Sequence, residues 1–240
     1  MLLSLGPQIL ALDDRLLIWA NQFAGRWPEL DRTGAWLLSA TLVKFAPIML
    51  VLCWFWFDRN PQQAQRRARV IDAIACGLAA LFVGRVLALA LPFRERPLSR
   101  PELHFVSDIE TTLRTWSAFP SDHAVMGFAF AAAIYRLSPR AGWWVALHAA
   151  VVICLPRFYF GLHHPSDLLA GALVGVALVT LLAHLSQRRV VTDAVLRFEQ
   201  RAPGAFYAAG FLLMFELAEM FASLRSLVAS AFRLVRVALG

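Results

Sequence analysis

Five long stretches with very few charges constrain this chain of 240 residues more than any other feature: 34–57, 70–92, 121–137, 142–156 and 166–185. The first holds a single charge, Lys44, and ends in the aromatic run Trp54-Phe55-Trp56-Phe57. The second is interrupted only by Asp72 and Arg85. About 20 consecutive apolar residues suffice for a helix to cross a bilayer. Inside hydrocarbon every backbone N–H and C=O must be satisfied within the segment, which favours helices. The expected fold is therefore all-α, an integral membrane helical bundle of five or six transmembrane helices. Residues 8–26 add an N-terminal interfacial amphipathic helix, because Ile9, Leu12, Leu16, Leu17, Trp19 and Phe23 form apolar surface broken by Asp13, Asp14 and Asn21.

Composition excludes the main alternatives. Hydrophobic residues make up 59% and charged residues 16% of the chain, against roughly 25% charged in a soluble domain. That argues against both a disordered chain and a cytosolic enzyme. Eight Trp and eighteen Phe suit a lipid-facing and interfacial surface. The net charge of +7 comes almost wholly from Arg, Lys44 being the only lysine. No contiguous basic face on a soluble fold accompanies it, so no nucleic-acid partner is expected. Cys53, Cys76 and Cys154 sit inside apolar runs and read as small buried hydrophobes, with no disulfide set and no metal site. The first residues, 1–12, lack a basic start and a small-residue cleavage site, so no cleavable signal peptide is expected.

Charge also orients the spans. Arginines crowd the links 58–69, 136–141 and 186–201, where Arg188, Arg189, Arg197 and Arg201 fall. With five alternating spans these lie on one side, the cytoplasmic one by the positive-inside rule. Loops 93–120 and 157–165 then share the opposite side. Residues 203–240 begin with an apolar run at 205–215 and turn amphipathic with Glu216, Glu219, Arg225, Arg233 and Arg236, a pattern that fits either a sixth span or a membrane-surface helix. The chain reads as one membrane domain over 1–240, with a core at about 34–185 and a cytoplasmic link plus a C-terminal helix over 186–240.

The outward loops hold the chemistry. One reads Pro92-Phe93-Arg94-Glu95-Arg96-Pro97; its exit into the third span reads Phe119-Pro120-Ser121-Asp122-His123; the next loop reads Arg157-Phe158-Tyr159-Phe160-Gly161-Leu162-His163-His164-Pro165-Ser166-Asp167. Guanidinium forks match phosphate oxygens. Ser121 is placed to cap a helix whose free N–H groups attract an anion. His163 and Asp167 are four apart, and Asp167 in the first turn is expected to accept from His163 Nδ1–H, leaving Nε2 as a nucleophile. His123 is a second imidazole, able to protonate a leaving oxygen. These residues form a phosphoryl-transfer kit without a metal or other cofactor.

The three patches resemble the tripartite signature of the type 2 phosphatidic acid phosphatases: Lys-x6-Arg-Pro, Pro-Ser-Gly-His, and Ser-Arg-x5-His-x3-Asp. Arg157, His163 and Asp167 match the third at full spacing, with Pro156 in place of Ser; Pro120, Ser121 and His123 match the second, with Asp122 in place of Gly; Arg96-Pro97 match the first, with Leu89 where Lys is expected. The resemblance covers about residues 34–185. It implies that His163 attacks phosphorus to form a phosphohistidine, that Asp167 orients it, and that His123 protonates the leaving group. It further implies that Arg96, Arg157, Ser121 and the N–H groups near Asp122 hold the non-bridging oxygens. Arg94 and Arg85 are the candidate replacements for the missing Lys; for Arg85, in an apolar run, a structural ion pair is the equal alternative.

The Pro-Ser-Asp-His form and the His-x-Pro-Ser-Asp helix start are most similar to bacterial undecaprenyl-diphosphate phosphatases of the bacitracin-resistance type. The implied partner is a lipid phosphate in the membrane, with no protein partner indicated, and the implied place is the bacterial inner membrane with the site facing outward. The third span, 121–137, is about 25 Å long against a hydrocarbon core of about 30 Å. That puts Ser121 and His123 near the headgroups, where a lipid phosphate arrives laterally. The alternative substrates are phosphatidic acid, phosphatidylglycerophosphate or a lipid A phosphate. Two non-enzymatic alternatives are a lipid-phosphate binding or transport protein, which needs Arg but no oriented imidazole, and a haem-binding protein, which needs facing histidines at mid-membrane depth. His164, His104, His148 and His184 read as structural or interfacial, Tyr159 and Trp116 as interfacial aromatics, and Glu95 as an ion-pair partner of Arg94 or Arg96.

Overall fold

The computed structural model describes residues 2–105, 116–185, 189–227 and 230. Arg188, Arg233 and Arg236, and the side chains of His184 and Arg189, lie outside the described residues. Among the described residues every regular element is helical: α1 (Leu2–Asn21), α2 (Pro28–Ser39), α3 (Thr41–Phe57), α4 (Gln63–Ala90), α5 (Asp122–Tyr135), α6 (Pro139–His148), α7 (Leu155–Tyr159), α8 (Pro165–Leu185), α9 (Arg189–Arg201) and α10 (Pro203–Ala218). By length and composition α4, the run from α6 to α7 and α8 are each able to cross a membrane, and α2 with α3 forms a fourth, bent candidate. The apolar helices α5 and α10 are shorter.

The expected uninterrupted span at 34–57 is corrected by the structure. The chain bends by 61° between α2 and α3. Ala40, with φ −74° and ψ 84°, leaves the helical region, and Lys44 Nζ donates to the freed Leu38 carbonyl at 2.8 Å. A buried ammonium thus satisfies an acceptor that the bend would otherwise strand. The fourth stretch stays one rod, but Ala149–Cys154 forms a π-turn within it. Pro156 has no N–H for the preceding turn, and Arg157 Nη1 donates back to the Ile153 carbonyl at 2.7 Å. The extra residue re-aims the end of the helix, as such bulges do. The segment after 203 begins with α10, which packs on α3 and α9. It turns sharply at Met220 and Phe221, whose φ of 51° and 57° are left-handed.

α5 is the central helix, packed chiefly on α8 and then on α4 and α6. Its Val125, Met126, Ala129, Phe130 and Ile134 are wholly buried. Large apolar side chains on the outer helices, such as Leu50, Phe82 and Leu173, are instead exposed, as lipid-facing surface should be. Hydrocarbon offers helices little hydrophobic reason to associate, so membrane interfaces rely on small residues and close backbones. Gly171 and Gly175 of α8 meet that need. A Cβ at Gly171 would lie 2.6 Å from the Ser121 carbonyl oxygen, and one at Gly175 2.3 Å from that of Val125. This seam sets the start of α8 beside the start of α5, where Ser121 N–H donates to the Asp167 carbonyl at 3.2 Å.

Candidate active site

Four helix ends, those of α4, α5, α7 and α8, and two loops converge at the face opposite the Arg-rich links. The loop between α7 and α8 closes tightly: Leu162 and His163 N–H both donate to the Arg157 carbonyl, at 2.9 and 3.2 Å, and Gly161 takes φ +68°. This folds His163 inward beside Arg157, so that Arg157, His163, His164 and Asp167 are all buried. The loop before α5 runs alongside, held by Ala118 N–H to the Arg94 carbonyl at 2.8 Å.

His163 Nδ1 lies 2.8 Å from the Ala118 carbonyl oxygen. A carbonyl only accepts, so Nδ1 carries the proton and Nε2 the lone pair. Arg96 Nη1 faces that Nε2 at 3.3 Å, while also donating to the Leu162 carbonyl at 2.8 Å. The tautomer is the expected one, but its cause is corrected. Asp167 Oδ2 stands 3.9 Å from His163 Nδ1 and accepts instead from His164 N–H at 2.7 Å and His164 Nδ1 at 3.1 Å. The short loop aims His163 across at the neighbouring backbone, leaving His164 over the helix start.

Burial, and next the Arg96 charge, hold the His163 ring well below the ordinary imidazole range, so it stays neutral. Replacing Arg96 with Met removes the larger of the two depressing charges, Arg96 and Arg157, while burial remains. The ring then gains its proton at higher pH, and the neutral form is lost earlier as pH falls. The acid limb of kcat/KM is expected to move to higher pH in Arg96→Met; a limb that stays in place, or moves to lower pH, contradicts the assignment of His163 as the neutral nucleophile.

On α5, Asp122 Oδ1 accepts from His123 N–H and faces His123 Nδ1, both at 2.7 Å. Because a carboxylate Oδ accepts, His123 Nδ1 is the donor and Nε2 is turned elsewhere. Asp122 Oδ2 pairs with Arg85 at 3.0 Å, and the Arg85 guanidinium sits 5.1 Å over the Trp116 ring. The structural ion pair expected as the alternative for Arg85 is therefore present. Ser121 occupies the N-cap position of α5, yet its Oγ makes no capping bond. Fully buried, that hydroxyl has no hydrogen-bond partner among the described residues. Arg157 lies within electrostatic reach of both His123 and His163.

Arg94, expected as a phosphate ligand, is committed elsewhere. Nη1 binds Asp167 Oδ1 and Ser166 Oγ, and Nη2 binds Asp13 Oδ2 at 2.7 Å. Two carboxylates saturate the fork, leaving it to brace the start of α8. Asp13 is a functional residue that sequence reasoning missed. It reads as a polar break in an interfacial helix, but it is 2% exposed and also accepts from Ser166 N–H at 2.9 Å. Asp14 pairs likewise with Arg100 at 2.7 Å, so α1 is tied to both loops. Lys44 was missed too, since the first-motif position is Leu89, which is 77% exposed and turned away. Lys44 is buried and close enough to act on Arg157 and His123. The remaining residues have structural partners: His148 Nε2 contacts the Lys44 carbonyl at 2.9 Å, and Tyr159 OH donates to the buried Asp31 at 2.6 Å. Among the described residues no group of three His, Cys, Asp or Glu side chains is placed to hold a metal ion.

A helical bundle with lipid-suited outer faces and with arginines, a helix start and two imidazoles gathered at one end defines the class: an integral membrane protein with a basic, imidazole-bearing polar site. Comparison with known proteins gives the family. The PAP2 superfamily matches over residues 93–190. A putative undecaprenyl-diphosphatase of Escherichia coli, YbjG, is 30% identical over 154 residues, covering 60% of this chain and 71% of that protein. The bacitracin transport permease protein BcrC of Bacillus licheniformis is 29% identical over 143 residues, covering 59% of this chain and 64% of its own length. A lipid A 1-diphosphate synthase of Escherichia coli is 28% identical over 165 residues, covering 65% of this chain and 66% of that protein. The crystal structure of a transmembrane PAP2-type phosphatidylglycerolphosphate phosphatase from Bacillus subtilis aligns with a TM-score of 0.49 at 19% identity, covering 76% of this chain and 89% of that one. The chain belongs to the PAP2 superfamily.

Proposed function

We propose that this protein is a membrane lipid phosphatase that hydrolyses undecaprenyl diphosphate to undecaprenyl phosphate and phosphate through a phosphohistidine. The observation that carries the reading is the pairing of an Nδ1-protonated, buried His163 beside Arg96 with a buried Ser121 hydroxyl that lacks a partner at a helix start. Burying an unsatisfied hydroxyl is costly, and a phosphoryl oxygen would satisfy it.

In the first step His163 Nε2 attacks the terminal phosphorus. The bond from phosphorus to the bridging oxygen breaks, and His123, entering the step protonated on both nitrogens with Nδ1–H held by Asp122, gives its Nε2 proton to the departing lipid phosphate. In the second step water attacks the phosphohistidine, His123 takes a proton, and phosphate leaves with His163 regenerated. Arg96, Arg157, Ser121 and the N–H groups at the start of α5 stabilise the charge on the equatorial oxygens. Asp122 orients His123, Arg85 holds Asp122, and Asp167 with Arg94 holds the loop that carries His163. The favoured substrate follows the relatives' names, YbjG above all. The favoured place is the bacterial inner membrane, with the site on the outer face opposite the arginine-rich links.

Phosphate release from a panel of purified lipid phosphates and diphosphates tests the reading, with His163→Ala as control. Turnover of the polyprenyl diphosphate above phosphatidic acid and phosphatidylglycerophosphate is expected. Binding without turnover across the panel would assign a carrier instead. Because the proposed steps run through imidazoles and guanidiniums, activity is expected to persist in EDTA; a strict requirement for added Mg²⁺ would overturn the metal-free route.

A further inference from the structure

A second site lies at the other end of the bundle. A cavity of 510 Å³ is framed by α3, α4, α9 and α10, and its lining is almost wholly apolar, with Cys53, Trp56, Ile74, Phe198, Gly210 and Met214 among the residues around it. Its volume falls in the range of roughly 300–1,000 Å³ that holds small ligands. Ile74 precedes Arg85 by eleven residues of α4, about 16 Å along the axis, so the cavity occupies the leaflet away from the candidate active site. Phe57 and Phe211, which also line it, are 58% and 75% exposed. The space therefore communicates with the surroundings, which at this depth are hydrocarbon.

Its rim is polar and basic. Arg67 sits 4.9 Å over the Trp56 ring and donates to Glu199 at 2.8 Å, and Tyr207 OH donates to the same carboxylate at 2.6 Å. Arg66 pairs with Asp58. Three further arginines, Arg59 in the link between α3 and α4 and Arg197 and Arg201 on α9, are exposed and make no ion pair among the described residues. A greasy slot beneath unneutralised guanidiniums matches a molecule with a hydrocarbon chain and an anionic head, and basic pockets on the cytoplasmic side of membrane proteins attract such heads.

We propose that this cavity is a binding site for an anionic phospholipid of the leaflet opposite the candidate active site, one acyl chain filling the space between α3 and α10 and the headgroup resting on Arg197 and Arg201. An apolar space of this size left empty would forfeit the packing of its walls. The lipid thus completes the seat of α10, a helix that otherwise packs mainly on α3 and α9.

Native mass spectrometry of the full chain, released from micelles containing phosphatidylglycerol or phosphatidylcholine with the same acyl chains, tests the site. Wild type is expected to retain phosphatidylglycerol preferentially. Gly210→Phe should abolish that retention by filling the space, and it should fold, because a Cβ at Gly210 meets no atom within 4 Å. The double variant Arg197→Gln with Arg201→Gln, confined to exposed positions, should lower phosphatidylglycerol retention about thirtyfold and leave phosphatidylcholine unchanged. Equal retention of the two lipids, or retention undiminished in Gly210→Phe, overturns the proposal. So does a polyprenyl phosphate that displaces phosphatidylglycerol from wild type but not from Gly210→Phe, since the slot would then belong to the substrate tail. None of these readouts depends on turnover, so a failed phosphatase assay leaves them intact.

Discussion

His163→Ala is expected to lower phosphate release by about 10⁴-fold or more, with a thermal midpoint lowered only by the loss of one buried hydrogen bond. Removing a covalent nucleophile collapses the whole catalytic unit, and residual rate comes only from binding and oxyanion stabilisation. The imidazole makes one strong protein contact, to the Ala118 carbonyl at 2.8 Å, and its other nitrogen faces a guanidinium rather than the core. Its loss leaves the Ala118 carbonyl without this partner, a cost of about 1–3 kcal/mol that lowers the midpoint without unfolding the chain. A phosphate-release assay on protein that elutes as a single species decides the matter, with acid-quenched radiolabelled substrate reporting the phosphoenzyme. Turnover near wild type in the variant would remove His163 from the mechanism.

Asp167→Ala is expected to act the other way, on stability first, lowering it by about 3 kcal/mol, the lower end of the loss seen when one partner of a buried pair is removed. The carboxylate is fully buried and holds His164 N–H, His164 Nδ1 and Arg94 together. Arg94 keeps Asp13, which limits the damage. The milder Asp167→Asn separates two roles. Where a carboxylate fixes the tautomer of a catalytic histidine, neutralising it costs about 10⁴ in rate. Here the Ala118 carbonyl fixes it, so Asp167→Asn should lose far less activity than that, with a lower thermal midpoint in a denaturation scan. A rate loss of the full triad size at unchanged stability would show that Asp167 touches His163 during turnover.

What the sequence showed of this site, and what it concealed, divides along physical lines. His123, His163 and Arg157 were legible because each sits at the end of an apolar run, where a titratable side chain is expensive unless used, and because their spacings fit helix starts. The Ala118 carbonyl was invisible, since every residue has one and only the loop path decides which faces His163. The break at Ala40 was equally hidden, because alanine is at home in a helix and the flanking residues remain apolar on both sides. Lys44 carried a real signal, a lone ammonium in an apolar stretch, but its meaning depended on the bend. Arg94 misled because a guanidinium beside Arg-Pro looks like a phosphate ligand until two carboxylates claim it, one of them from a helix more than eighty residues upstream. The C-terminal pattern left two options open; of it the structure describes the apolar helix α10, packed on α3 and α9, and the left-handed turn that follows at Met220 and Phe221.

The seam at Gly171 and Gly175 has a consequence for how a family of such proteins can diverge. His123 rides on one helix and His163 on the connection into the other, so in the proposed mechanism the spacing of the two imidazoles depends on two missing methyl groups several residues away. Residues in the surrounding loops lie outside this constraint, whereas a single added carbon on the seam would push α5 and α8 apart. On the proposed mechanism, substrate range and chemical competence would thereby fall under separate structural control.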